Sequence, residues 1–309
     1  MTIIFMGTPA FAVPSLQAMH ETYGVDLVIT QPDKPVGRKK KMQPSAVKTY
    51  AVKSKIPLLQ PRKVSDIKAF ITTMKPDLII TAAYGQFLPE SILKTARIDT
   101  LNVHGSLLPH LRGGAPIQRA IERGDKQTGV TIMKMVKKMD AGPIYAKAST
   151  EIHDDTTASA LFERLSQLGA ELLKKTVPSI IDGSLQPTPQ DESQVSYAPN
   201  LTREEEALDL TKPAVDLDRK IRAFDQNPGT HITVDNTRIK VLKAQLIPTD
   251  NSHKAGEVIT HAKSGPVIQT KQDGLQLLMI KPAGKQAMSA KDYLNGAGRT
   301  LFKVGKVLV

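Results

Sequence analysis

The chain has 309 residues, 40% hydrophobic and 23% charged, which is an ordinary globular balance and a length that suits two domains. There is no Cys, which excludes a disulfide framework and any thiolate metal centre and fits a reducing compartment. No apolar run reaches the roughly 18 residues that a membrane-spanning helix needs. The net charge of +12 favours a polyanionic partner. It is unevenly placed, because between Lys34 and Ser65 lie ten Lys or Arg residues and no Asp or Glu. A solvated, Lys-rich surface is the alternative reading of that stretch. Aromatic residues make up 4% of the chain and Trp is absent, so base stacking on an aromatic platform is not expected to dominate.

Residues 2–6 (TIIFM) form a short apolar run ending at Gly7, read as a first strand rather than a secretory signal because no basic segment precedes it. A helix pattern follows with Pro14 near its start. Residues 25–30, 77–83, 100–104 and 129–135 read as further buried strands, with helical patterns at 44–55, 63–75 and 116–123. Strands alternating with helices predict an α/β domain with a Rossmann-like, mostly parallel sheet. A longer helix is expected over 156–182, where Leu161, Leu165, Leu168 and Leu172 share one face. The first domain is therefore placed at 1–183. Residues 184–206 are rich in Pro, Ser and acidic residues, the composition of a linker. Over 207–309 short alternating segments follow, with Asp273-Gly274 as a hairpin signal, and they predict a small antiparallel barrel or sandwich, of a size and strand count that suit an OB-like β-barrel.

The chemistry concentrates in Leu101-Asn102-Val103-His104-Gly105-Ser106-Leu107-Leu108-Pro109. On a strand over 100–104, Leu101 and Val103 point to one face and Asn102 and His104 share the other. Both polar residues then sit near the carboxyl end of a parallel strand, where open α/β sheets bind ligands. Acyl transfer to an amine needs donors for a developing oxyanion and a route for a proton. Asn102 has the amide donor, and an imidazole such as that of His104 both donates and relays protons near neutrality. Asp140, after a predicted strand and before Ala141-Gly142, has the reach to orient that imidazole. No metal is required. An ordinary structural His at a strand end, and a turn-forming Asp, account for the same residues without any chemistry.

The segment NVHGSLLP, followed by Arg112-Gly113-Gly114-Ala115-Pro116-Ile117-Gln118, resembles the signature of the folate-dependent formyltransferases. The similarity runs essentially end to end, through FMGTPAFAVPSL, TQPDKPVGRKKKMQPSAVK, AAYGQFLP, TGVTIMKM and KPAGKQAMSAKDYLNG. The resemblance implies that Asn102, His104 and Asp140 are the catalytic trio. It further implies that Ser106, Leu107, Leu108 and Pro109 line the tetrahydrofolate site, and that the backbone of Gln86, Phe87, Leu88 and Pro89 faces the pteridine ring, although ordinary core packing accounts for Phe87 and Leu88 equally well. The implied fold is a Rossmann-like domain, a linker and a C-terminal barrel. The implied cytoplasmic reaction moves the formyl group of 10-formyltetrahydrofolate onto the α-amino group of methionyl-initiator tRNA for translation initiation. No membrane or oligomer is implied.

Within that family the basic loop Lys34–Lys41 marks the branch that acts on charged tRNA. Its Pro and Gly punctuation predicts an irregular, mobile loop, and Arg38, Lys39, Lys40 and Lys41 are the implied contacts to the acceptor stem. Lys281, Lys285 and Lys291 are candidates for a second phosphate-facing surface. Two departures bear on loop geometry. Pro143 follows Asp140-Ala141-Gly142 where relatives carry a second acidic residue, and Asp225-Gln226-Asn227-Pro228 follows Phe224 where relatives carry a Trp. A formyltransferase acting on a purine precursor, nucleotide sugar or aminoarabinose would lack the basic insertion and the lysine-rich barrel. A non-catalytic tRNA-binding protein would be expected to have lost one of the trio. A dehydrogenase is disfavoured because Gly7-Thr8-Pro9 stands in place of a glycine-rich dinucleotide turn.

Overall fold

The computed structural model describes residues 1–37 and 41–308. In chain order it opens with β1 (Ile3–Gly7), α1 (Val13–Tyr23), β2 (Leu27–Ile29), β3 (Lys34–Val36), β4 (Lys41–Gln43), α2 (Ala46–Lys53) and β5 (Leu58–Leu59). It continues with α3 (Lys68–Met74), β6 (Leu78–Ala82), α4 (Glu90–Leu93), β7 (Asp99–His104), α5 (Pro116–Arg123), β8 (Gln127–Lys134), β9 (Ile144–Glu151) and α6 (Ala158–Ile181). Two compact units interleave along the chain. The first comprises Met1–Pro116, Gln127–Glu151 and Phe162–Pro199, and the second comprises Ile117–Lys126, Ile152–Leu161 and the chain from Asn200 onward.

The first unit is built on a seven-stranded sheet in the order β5-β2-β1-β6-β7-β8-β9. Strands β5, β2, β1, β6 and β7 run parallel, and β8 and β9 pair antiparallel at one edge. The central strands read as unbroken apolar runs because both faces are covered: every residue of IIFMG in β1 and of LIITA in β6 is buried. The strand order reverses between β1 and β6, so the carboxyl ends of β1, β6 and β7 border the switch point where such sheets open a crevice. Helix α2 starts where Ser45 caps it, its hydroxyl accepting from Lys48 N at 3.0 Å.

Two features differ from the sequence reading. The flanks of the basic loop are not irregular: Lys34, Pro35 and Val36 pair antiparallel with Gln43, Met42 and Lys41, forming a small ribbon. Three-residue strands made of KPV and KMQ hold too few apolar positions to show a period. Strand β9 was likewise invisible. Its residues alternate between half-buried and exposed, but Ala146 and Ala148 are too small to mark the inward face.

The second unit adds α7 (Ala214–Ala223), β10 (Thr230–Val234), β11 (Thr237–Ile247), β12 (Val258–Ala262), β13 (Gly265–Gln269), β14 (Gly274–Pro282), β15 (Met288–Ser289), α8 (Ala290–Leu294) and α9 (Gly298–Leu301). Its strands form one antiparallel sheet in the order β10-β11-β14-β13-β12, with β15 on β14. Leu217 and Ile221 of α7 join Ile232, Ile239, Val241, Leu275, Leu277 and Phe302 in its core. The tight hairpin lies at Asp235-Asn236, both at positive φ between β10 and β11, as a type I′ turn demands. Asp273, at φ 64°, closes the longer connection from β13 to β14.

Candidate active site

The pleat of β7 sorts its residues as expected. Leu101 and Val103 are buried in the core, while Asn102 and His104 occupy the opposite face at the carboxyl end. The neighbouring strand orients the amide: Thr81 of β6 is in register with Asn102, and its hydroxyl lies 2.8 Å from Asn102 Oδ1. The same hydroxyl lies 3.0 Å from Leu101 O; with its proton on the shorter contact, to Asn102 Oδ1, Asn102 Nδ2 is the free end. Nδ2 has no hydrogen-bond partner among the described residues. An amide N–H that is positioned but unpaired suits it to receive charge that forms elsewhere.

His104 is 6% exposed, and its Nε2 lies 3.1 Å from the carbonyl of Leu111. A carbonyl only accepts, so Nε2 carries a proton, and Nδ1 is the nitrogen that gains or loses one. Nδ1 lies 3.7 Å from Asp140 Oδ1, close enough for charge pairing but too long for a direct hydrogen bond. The other carboxylate oxygen of Asp140 accepts from Gly113 N at 2.9 Å. Asp140 itself has φ 49°, in the left-handed region, on the turn between β8 and β9. The structure thus brings Asn102, His104 and Asp140 together at one end of the sheet. It adds three residues that composition and period did not single out for a role: Thr81, Leu111 as acceptor and Gly113 as donor.

The two segments expected at the folate, 86–89 and 106–109, follow adjacent strands on the same side, β6 and β7. Within the second, the Ser106 hydroxyl donates to His110 O at 2.6 Å. Leu108 is fully buried, and its N–H donates to Thr131 Oγ1 at 3.1 Å. These groups are spent on the turn, which leaves Leu107, only half-buried, as the side chain with surface to offer beside Pro109. In the first segment Gln86 is tied down: its Oε1 accepts from Val64 N at 2.8 Å, and its Nε2 donates to Pro61 O at 3.3 Å. Leu88 packs in the core beneath, ahead of the half-buried Pro89, while Phe87 is 62% exposed. A flat, exposed ring beside backbone that leaves the switch point is a fitting wall for a planar heterocycle.

Arg38, Lys39 and Lys40 lie outside the described residues; Lys41 opens β4 and is exposed. The base of this ribbon is fixed. Asp33 accepts from Gln60 Nε2 at 2.8 Å and pairs with Lys48 at 2.7 Å, and these contacts hold its carboxyl below the usual range. Lys281, Lys285 and Lys291 are exposed, and Lys285 Nζ sits 5.4 Å from the Tyr293 ring. Both departures are bonded into the structure. Pro143 O accepts from Lys134 N at 2.9 Å where β9 begins, and Asp225 accepts from Ser159 Oγ beside the buried Phe224. Among the described residues no group of three or more His, Asp or Glu gathers as a metal would need, and no helix is long and apolar enough to cross a membrane.

A family profile described as formyl transferase matches residues 1–177, and one described as formyl transferase, C-terminal domain, matches residues 200–298. The chain is 47% identical over 310 residues to a methionyl-tRNA formyltransferase of Lactobacillus gasseri, spanning 99% of both. It is 46% identical over 299 residues to a methionyl-tRNA formyltransferase of Bacillus pumilus, spanning 96% of this chain and 94% of that one. Among solved structures it resembles an N-formyltransferase from Helicobacter canadensis (TM-score 0.68, 18% identity, 89% of this chain and 98% of that one). It also resembles WlaRD, a sugar 3N-formyl transferase (TM-score 0.66, 20% identity, 93% and 99%). At such identities the solved structures establish a shared fold.

Proposed function

The chain belongs to the formyl transferase family, and on that premise we propose that Asn102, His104 and Asp140 are the residues that carry its reaction. The protein is an enzyme that transfers a formyl group to the α-amino group of methionine on initiator tRNA, the charged tRNA that starts translation. The donor we assign is 10-formyltetrahydrofolate, held between Gln86–Pro89 and Ser106–Pro109, with the acceptor stem met by Arg38–Lys41. On this reading 1–183 is the catalytic domain, 184–206 connects, 207–309 is an OB-like domain that binds tRNA, and the reaction belongs to the cytoplasm.

The observation that carries this reading is the polarised imidazole. Leu111 fixes the proton on Nε2 of His104, and Nδ1 is left facing Asp140 beside the unpaired amide of Asn102. When bound, the folate supplies an activated formyl carbon. Asn102 Nδ2 donates to the formyl oxygen as it gains negative charge, and protonated His104 Nδ1 adds a second donor. Asp140 balances the imidazolium and accepts the proton that the amine loses as its nitrogen bonds the formyl carbon; that proton passes to the folate nitrogen as the bond from that nitrogen to the formyl carbon breaks, and tetrahydrofolate leaves. Gly113 N–H keeps one carboxylate oxygen occupied, so Asp140 offers a single, oriented oxygen to this exchange.

The test is formylation of methionyl-initiator tRNA with 10-formyltetrahydrofolate, read by acid-gel shift. The wild-type protein should formylate. His104→Ala and Asp140→Asn should each lose about 100-fold or more in turnover, with tRNA affinity nearly unchanged. A full-rate His104→Ala variant would overturn the assignment.

A further inference from the structure

Residues 184–206 have the composition of a linker, yet part of that segment is bonded into the first unit at the candidate site. Thr188 exchanges both backbone hydrogen bonds with Ile144 at 2.8 Å. Two residues on, Gln190 Nε2 donates to the carbonyls of Asp140 (2.8 Å) and Gly142 (2.7 Å). Its Oε1 accepts from Arg112 Nε (3.1 Å) and Nη2 (2.8 Å). The orientation of this carboxamide is determined, because a guanidinium only donates and the two carbonyls only accept. Arg112 is 1% exposed and also meets Glu192, whose Oε1 lies 2.7 Å from Nη2.

The same segment grips the other side of the site. Ser196 Oγ accepts from Leu111 N at 3.0 Å, and Arg112 N and O pair with Ser196 O (2.9 Å) and Ala198 N (2.7 Å). The chains run so close that a Cβ on Gly113, at φ 124°, would stand 2.6 Å from Ala198 O. Leu111 supplies the acceptor for His104 and Gly113 the donor for Asp140, so one stretch of chain braces both ends of the His104–Asp140 pair. Asp140 sits at φ 49°, in the left-handed region, and the Gln190 donors hold the carbonyls of Asp140 and Gly142 in this turn.

We propose that Gln190 is a positioning residue for formyl transfer: clamped by Arg112, it holds the carbonyls on either side of Ala141 and so aims the Asp140 carboxylate at His104 Nδ1. Gln190 touches neither reacting atom and acts only through Asp140. This rests on the reading of Asp140 as a member of the trio. Gln190→Glu keeps the acceptor for Arg112 and removes both donors to the turn; Gln190→Met removes both contacts.

The experiment uses the full-length protein with methionyl-initiator tRNA and 10-formyltetrahydrofolate, under steady-state and single-turnover conditions. Both variants should lose about 10- to 100-fold in kcat, the scale of an ångström-sized misplacement, with both KM values within about twofold of wild type. Gln186→Ala, exposed on the same segment and outside these contacts, should be unaffected. In an Asp140→Asn background the Gln190→Met change should cost less than about twofold, because the group it aims is gone. A wild-type kcat in Gln190→Glu, or equal losses in both backgrounds, would overturn the proposal. If Asp140→Asn alone kept the full rate, the catalytic reading of Asp140 would fail instead, whatever Gln190 does.

Discussion

Glu192 is 59% exposed, yet its carboxyl is held down to about 2, chiefly by the hydrogen bond from Arg112 and next by that from Lys138. The usual value is 4.5, so the folded state keeps this group charged where the unfolded chain would protonate it. The sign follows: a depressed carboxyl contributes stability that is fully present above pH 4.5 and is lost as pH falls towards 2. Solvent screens the pair itself, but Arg112 is buried and its Nη1 already lacks a partner among the described residues, so the loss of Glu192 is felt through the guanidinium. Glu192→Gln should therefore lower Tm at neutral pH, and the gap to wild type should close between about pH 4.5 and 2. Thermal melts across that range check it, and a gap that widens on acidification would refute it. At this scale the sequence was legible where a period existed. Asn102 and His104 share a face because a strand alternates. Gln190, Leu111 and Gly113 reach the site through loops, and the contact from Gln190 to Asp140 spans 50 positions that no local pattern connects.

Helix α6 lies against the back of the strand that carries Asn102 and His104. A Cβ built on Gly169 would stand 2.9 Å from Val103 Cγ1 and 3.4 Å from Val130 Cγ1, so glycine here sets how closely the helix approaches β7. Two effects oppose each other on Gly169→Ala. Helix propensity would gain about 0.5–1 kcal/mol, whereas forcing a methyl into a packed β-branched side chain costs about 1–3 kcal/mol. Since Val103 Cγ1 is the short arm of a stiff side chain that is itself buried, the overpacking should win, with a net loss of about 1 kcal/mol. Chemical denaturation of Gly169→Ala, Val103→Ala and the pair tests this: the double variant should be more stable than the sum of the singles predicts, and strict additivity would remove the close-approach argument. Among the elements, buried strands and amphipathic helices were readable because their periods are imposed by burial. Strand β9 and the ribbon β3–β4 were not, since neither buries enough side chain to impose one. Lys34–Lys41 illustrates the limit: its charge points to a polyanionic partner, and its paired flanks were set by backbone bonding that leaves no mark in composition.

A net charge of +12, with ten cations and no acid between Lys34 and Ser65, makes the whole molecule a counterion-releasing surface for a polyanion. The two substrates differ in how they feel it. An acceptor stem presents many phosphates, and each one neutralised adds about 0.9 to the slope of log affinity against log salt. A folate carries few charges, and its expected walls, Phe87 and Leu107 among them, are apolar. The KM for methionyl-initiator tRNA should therefore rise steeply as KCl is raised from about 50 to 200 mM, while that for 10-formyltetrahydrofolate changes little. Replacing Arg38, Lys39, Lys40 and Lys41 by Ala should flatten the tRNA slope by about 0.9 for each phosphate contact removed, up to four. Alanine at Lys281, Lys285 and Lys291 measures the second unit's share by the same plot. Parallel lines for the wild type and the quadruple variant would mean that the charge of these four residues meets solvent only, and that recognition of the tRNA rests on other residues.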